Sequence, residues 1–254
     1  SEVCLFDIDR ERLDIVGGLA KRMVKAAGAT FSVELSTDRR SAIEGSAFVL
    51  NQIRVGGQMA RHIDTLTCLA EDVIGQETTG PAGFAKAMRT IPVVLDICRD
   101  IEELAPDAWL INFTNPAGII TEAILKHSSV KAVGLCNVPI GMQMNIAKEY
   151  DVSYKDIDLD YVGLNHLSWI RRVWVQGEDK TEEVRSRTTA RMANVPDLTV
   201  SASYLDALGM IPSSYLNYFY LTSDMLKHLQ GQDETRAQKV MAVEKALLEK
   251  YKSQ

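Results

Sequence analysis

No apolar run in these 254 residues reaches the about 18 to 20 needed to cross a bilayer, and the reading expects no signal peptide before the first element. The expectation is a soluble chain with no membrane partner. Cysteine is scarce. Cys4, Cys68, Cys98 and Cys136 show neither CxxC spacing nor the dense pattern of a disulfide framework, which points to reduced thiols and a cytoplasmic location. Positive charge is in deficit, with 28 Lys and Arg against 34 Asp and Glu and a net charge of -6, which argues against a nucleic-acid groove. A GxGxxG fingerprint is absent as well, so no turn in the sequence carries that pyrophosphate signature.

What is present alternates between strand and helix. Residues 1–7 read as a strand, and Asp9 is placed to cap a helix over Arg10 to Ala27, where Leu13, Val16, Ala20, Met23, Val24 and Ala27 recur at helical spacing. Gly28 stops it. A strand over Thr30 to Leu35, a helix start at Thr37 and Asp38, and a strand over Ala47 to Asn51 follow. Strand and helix in alternation predict an α/β fold with a parallel sheet. Asp7 ends the first strand, where a dinucleotide fold places the carboxylate that holds the adenine ribose; helix capping is the other reading of it.

Polar residues then become dense, with Arg61, His62 and Asp64 in one helical turn. The Gly-, Thr- and Pro-rich stretch 74–83 reads as a lid or sugar-contacting loop, or as an ordinary entry loop to a helix over Phe84 to Leu104 that is kinked at Pro92. Three later strands end in polar residues: Trp109 to Asn115, after which Pro116 opens a helix; Val130 to Leu135, leading to Cys136 and Asn137 and a helix over Gly141 to Tyr150; and Asp156 to Leu164, followed by Asn165, His166 and a strand over Ser168 to Val175. Three such ends in succession suggest a shared pocket. Cys136 and His166 make a sound pair of soft metal ligands that would leave positions open for substrate. The alternatives are a small buried hydrophobe and a structural histidine.

Five segments together carry a resemblance: Ile74-Gly-Gln-Glu-Thr-Thr-Gly-Pro81, Asn112-Phe-Thr-Asn-Pro-Ala-Gly118, Gly134-Leu-Cys-Asn-Val-Pro-Ile-Gly141, Gly163-Leu-Asn-His-Leu-Ser-Trp169 and Leu208-Gly-Met-Ile-Pro-Ser-Ser-Tyr-Leu216. In this order they resemble glycoside hydrolase family four, in particular its 6-phospho-β-glucosidases. The resemblance implies a Rossmann-like parallel sheet similar to the lactate and malate dehydrogenases over residues 1–150, and part of a second α+β substrate domain over 151–254. It also implies NAD and a divalent metal, typically manganese, as cofactors. A phosphorylated disaccharide or aryl β-glucoside would be the substrate, and the assembly a homo-oligomer.

The chemistry implied is a redox route, one of the exceptions to the two-carboxylate scheme, and no paired acids stand out that would restore that scheme. Hydride passes from the sugar C3 carbon to NAD, a base takes the proton from the neighbouring carbon, and the aglycone leaves by elimination. Water then adds and the ketone is reduced. Carried over by motif, Cys136 and His166 become metal ligands, Asn115 and Asn137 contact substrate hydroxyls, Asp7 holds the ribose, and Arg61 grips the sugar phosphate. Tyr215 is the base, with Tyr218 second; aromatic packing is the other reading of both. The resemblance further implies that α-specific relatives place an acid where Asn137 stands, so the amide points to β-linked substrates.

The family's first strand and Gly-rich turn have no counterpart here, and the family continues beyond Gln254. The reading therefore expects a chain truncated at both ends. A simple NAD-dependent 2-hydroxy-acid dehydrogenase is one alternative, against which the Cys136 and His166 pair speaks. An inactive truncated remnant is the other.

Overall fold

A computed structural model describes residues 1–187 and 201–253. Its contacts divide the chain into two compact units. One comprises Ser1–Leu66, Gln76–Gly134 and Glu234–Gln254, the other Thr67–Gly75 and Leu135–Asp233. The helix Arg236–Ser253 belongs to the first unit and packs against the first helix of the chain. The Arg12 guanidinium meets Glu244 there, and Arg22 donates to the Tyr251 carbonyl.

The first unit is built of β1 (Glu2–Phe6), α1 (Arg10–Ala26), β2 (Ser32–Ser36), α2 (Arg39–Ile43), β3 (Phe48–Asn51), α3 (Gly57–Ala70), α4 (Gly80–Leu104), β4 (Trp109–Asn112), α5 (Ala117–His127) and β5 (Lys131–Gly134). Every strand pairing in it is parallel: β1 with β2, and β3 with β4 with β5. Parallel neighbours need crossover connections, and the helices between the strands supply them. Asp9 and Asp38 cap α1 and α2, accepting from the amides of Arg12 and Arg40. The buried carboxylate of Asp100 on α4 holds α2 in place through Arg39 at 2.6 Å and Arg40 at 2.8 Å.

The sheet β3-β4-β5 has two unlike faces. On one, Val49, Leu110 and Ala132 pack beneath Val94, Ile97 and Ile101 of α4 and Ile120 and Ile124 of α5. On the other, Phe48, Leu50, Trp109 and Val133 are 61, 70, 45 and 39% exposed. Buried parallel sheets normally carry cover on both faces.

Two helices begin earlier than their sequence patterns suggest. Helix α4 starts at Gly80, not Phe84, and runs on through Pro92. Proline is tolerated in a first turn, and the preceding loop is folded onto one side chain: Gln76 Oε1 accepts from the amides of Thr78 at 2.6 Å and Thr79 at 2.9 Å. Gly83 permits that close approach, since a Cβ there would lie 2.8 Å from the Thr78 carbonyl carbon. By the same first-turn rule α6 (Val138–Glu149) starts at Val138, not Gly141, with Pro139 in its first turn.

The second unit continues with β6 (Ile157–Leu164), β7 (Leu167–Val175), β8 (Glu178–Asp179), α7 (Thr181–Arg187), α8 (Ala202–Leu208), β9 (Ile211–Pro212), α9 (Asn217–Tyr220) and α10 (Thr222–Gln230). Strands β6 and β7 form an antiparallel hairpin, and β7 also pairs with β8 and β9. Ile170, Val173 and Val175 of β7 turn inward with Ile157 against Val138, Met142 and Ile146 of α6, forming this unit's own core. No described helix is long and apolar enough to cross a membrane.

Candidate active site

In the first unit the strand ends are tied by buried amides. Asn51, last in β3, donates to Asn112 Oδ1 at 3.0 Å, and Asn112, last in β4, accepts from the Thr114 amide and donates to Thr121 Oγ1 at 3.3 Å. Gly134 ends β5 against the same threonine; a Cβ there would fall 2.1 Å from Thr121 Oγ1. The three carboxyl ends are thus fixed relative to one another by these side chains. Asn115, one residue beyond Thr114, makes no side-chain hydrogen bond among the described residues and is half-buried. Asp7 follows β1 and accepts the Asp9 amide on Oδ1 at 2.9 Å, which leaves Oδ2 uncommitted among the described residues. Capping of α1 falls to Asp9.

Arg61 lies in a cluster that the sequence reading did not assemble. Glu77, in the loop before α4, accepts from Arg54 at 2.7 Å and Lys86 at 2.9 Å on Oε2, and its Oε1 lies 3.4 Å from Arg61. Burial alone would push the Glu77 carboxyl up, but the charges of Lys86, Arg61 and Arg54 outweigh it and bring the pKa down to about 2. Burial lowers Lys86 to about 8 in spite of Glu77. Glu77 was legible only as the single acid in a loop of hydroxyls. Nothing in the spacing announces Lys86, which lies on α4 among apolar positions.

In the second unit Cys136 Sγ lies 3.5 Å from His166 Nε2. His166 is buried, and it occupies a two-residue turn between Leu164 and Leu167 with φ of 64°. That left-handed conformation is uncommon outside glycine, and here it turns the imidazole back toward Cys136. Tyr215, in a 3-10 turn over Ser214–Leu216, stacks on the imidazole with centroids 3.5 Å apart and planes 9° from parallel. Tyr218 is farther out, 6.2 Å from Tyr215 and tilted by 47°. The Tyr161 hydroxyl bonds Ser168 Oγ at 2.6 Å, and the hydroxyls of Ser213 and Ser214 are buried without a partner among the described residues. Asn137 stands at the N-terminus of α6 but uses no side-chain cap bond; its amide is exposed.

The structure thus brings Cys136, His166 and Tyr215 together in one unit, while Asp7, Arg61 and Asn115 belong to the other. Whether the donors suit a cation can be judged from their spacing. Around a tetrahedral zinc, a sulfur at about 2.3 Å and a nitrogen at about 2.1 Å stand about 3.6 Å apart. The Cys136 and His166 donors fit that spacing. No group of three or more His, Cys, Asp or Glu ligands occurs among the described residues, so a cation held here keeps positions open.

Comparison with known proteins follows the same lines. Residues 1–152 match the family 4 glycosyl hydrolases and residues 161–254 match the C-terminal domain of that family. The chain is 45% identical over 262 residues to a probable 6-phospho-β-glucosidase of Bacillus subtilis and 39% identical over 270 residues to a 6-phospho-β-glucosidase of Escherichia coli, covering 99 and 100% of this chain. It spans 59% of the length of each relative. Among solved structures, the 6-phospho-β-glucosidase of Thermotoga maritima with manganese, NAD+ and glucose 6-phosphate matches at a TM-score of 0.91 and 37% identity, over 100% of this chain and 60% of that one. A 6-phospho-α-glucosidase in complex with NAD and Mn2+ matches at 0.84 and 27%, over 99% of this chain and 61% of the other. With both parts of the sequence matched in register, the parallel strands of the first unit and the antiparallel sheet of the second are the fold of a known lineage, and the chain belongs to the family 4 glycosyl hydrolases.

Proposed function

We propose that this chain carries the cofactor- and metal-binding portion of a hydrolase of 6-phospho-β-glucosides that works by oxidation, elimination, water addition and reduction. The observation that carries the reading is the 3.5 Å approach of Cys136 to His166 with Tyr215 stacked on the imidazole. A thiolate and an imidazole at that spacing serve a divalent cation, and manganese is the cation found with two of the matched relatives. When bound, such a cation polarises the oxygen of a ketosugar, and NAD accepts and returns the hydride.

The remaining work falls to side chains. Tyr215, stacked on the His166 ring, would take the proton from the sugar C2 carbon. Asn115 and Asn137, whose side-chain amides make no hydrogen bond among the described residues, hydrogen-bond sugar hydroxyls. Arg61 receives the sugar phosphate, and Asp7 Oδ2 accepts from the adenine ribose. Asn137 cannot supply a proton to a leaving oxygen as a carboxylic acid can, so β-linked substrates with good leaving groups are the preferred class. A cytoplasmic setting and a homo-oligomer complete the proposal.

Two measurements test it. Manganese should bind the chain and lose affinity in Cys136→Ser. In a preparation that binds NAD and turns over, hydrolysis of an aryl 6-phospho-β-glucoside in deuterated water should leave deuterium at C2 of the product. Protium alone at C2 would eliminate the proton-abstraction step, and better turnover of α-linked substrates would overturn the anomeric assignment.

A further inference from the structure

Near its turn the β6-β7 hairpin inverts the usual polarity of a sheet. Residues opposite one another across an antiparallel pair share a face. Tyr161 stands opposite Ile170, and Ser168 lies two residues before it, so the face turned to the core holds two hydroxyls, bonded to each other at 2.6 Å. The other face sets Val162 against Trp169 and Leu164 against Leu167. Leu164 and Leu167 are 73 and 47% exposed. An antiparallel sheet with one face in water carries its polar residues outward, and here the leucines take that place. Trp169 extends the apolar face, since its Nε1–H donates to the Tyr220 hydroxyl at 2.9 Å and the Tyr220 ring lies 5.0 Å from Tyr204 and 5.4 Å from Phe219. Tyr204 and Phe219 are 39 and 71% exposed.

At roughly 200 Å² for each large side chain, these four residues present on the order of 400 Å² of apolar surface. A contiguous patch of that size marks an interaction surface. It is also about the non-polar share that one partner contributes to an interface of standard size. Leucine side chains offer a sugar hydroxyl no hydrogen bond, so the face suits a protein rather than a saccharide. Beyond Trp169 the face ends in Arg171, which bonds Asp160 at 2.9 and 2.6 Å. That rim pair is satisfied within the chain and carries no net charge. Two copies can therefore meet on this face without like-charge contact, although each has a net charge of -6.

We propose that two copies of the chain associate about a twofold axis through this face, each covering the Leu164 and Leu167 of the other. The inference rests on the homo-oligomer proposed above and names its surface. Cover laid on the two leucines also braces the turn between them, which carries His166.

Sedimentation equilibrium of the 254-residue chain up to about 100 μM, enough to populate even a weak dimer, tests the assignment without turnover. A dimer is expected at the upper end. Leu164→Asp and Leu167→Asp, both at exposed positions, should each raise its dissociation constant about a hundredfold or more, because a twofold interface then buries two unpaired carboxylates. Leu50→Asp on the open face of the β3-β4-β5 sheet and Val243→Asp on the helix Arg236–Ser253, at positions 70 and 56% exposed, are matched controls and should leave it unchanged. A parent that stays monomeric throughout removes both the homo-oligomer and this surface. A dimer that survives Leu164→Asp and Leu167→Asp, or that only Leu50→Asp dissociates, keeps the homo-oligomer and overturns the assignment. A monomer that floats with phosphatidylcholine vesicles gives the face to a lipid surface and overturns it as well. Should Leu164→Asp fail to fold, the Leu167 result decides alone.

Discussion

The imidazole of His166 and the phenol of Tyr215 lie face to face, 3.5 Å between centroids and 9° from parallel. The stack ties the orientation of the ring to that of the phenol. Tyr215→Phe keeps the stack and deletes only the hydroxyl. It should therefore leave manganese affinity and thermal stability near the parent values while slowing C2 exchange by the roughly 10²- to 10⁴-fold typical of a lost general base. An equally active Phe variant would move the base to Tyr218.

Cys136→Ser replaces the sulfur donor with a hydroxyl. Manganese affinity should fall by at least the roughly 10- to 100-fold that loss of a supporting outer-shell partner costs. The far-ultraviolet circular dichroism should be unchanged, because Cys136 lies at the margin of its core rather than inside it. Electron paramagnetic resonance of free manganese reads the difference directly.

Glu77 predicts how stability depends on acid. Its folded pKa of about 2 lies below an ordinary value of 4.5, so the unfolded chain binds more protons between those limits. Its contribution is fully present above about 4.5 and is lost as pH falls toward about 2, on the order of 3 kcal/mol in all. Lys86, lowered to about 8, acts in another window: its contribution grows as pH rises from about 8 toward 10.5. Urea titrations at pH 5 and pH 3 should differ more for the parent than for Glu77→Gln.

Gly134→Ala would drive a methyl group into Thr121, 2.1 Å from Oγ1 and 3.0 Å from Cβ. The expected cost is about 1 to 3 kcal/mol in denaturant unfolding. Thr121→Ala should relieve most of it in the double variant, though it also removes the acceptor for Asn112. Additive losses would show that the clash is not the cause.

Asn137 offers a gain-of-function test. An acid at this exposed amide position, Asn137→Asp, should raise turnover of α-linked 6-phosphoglucosides relative to β-linked ones in an active preparation, because it supplies a proton for a poor leaving group. An unchanged ratio would detach anomeric preference from this residue.

Much of the architecture was legible because the strand ends punctuate the chain. Asp9, Gly28, Pro116 and the Asn165-His166 turn each mark a boundary by their own backbone chemistry, and the observed elements follow them within a few residues. Proline in a first turn misled the start of both α4 and α6, since Pro81 and Pro139 read as breakers yet sit where a missing N–H costs nothing. Pairing of Cys136 with His166 was legible as chemistry, from two polar interruptions of similar kind. The stacking of Tyr215 on His166 was not, because it depends on a turn that brings residues 49 positions apart into contact. The partners of Glu77 were hidden for the same reason: a buried ion cluster has no periodicity, and its members come from four segments.

Trp109 occupies the open side of the β3-β4-β5 sheet beside Phe48 and Leu50, with 45% of its surface in solvent, while Trp169 and Trp174 are partly shielded on the other sheet. That arrangement makes one indole an optical gauge. Its emission should be red-shifted and open to quenching by iodide in the chain as it stands, and any surface laid over the sheet will move it to the blue and protect it. A Trp109→Phe variant supplies the blank, so the state of one sheet face can be followed in solution by fluorescence alone.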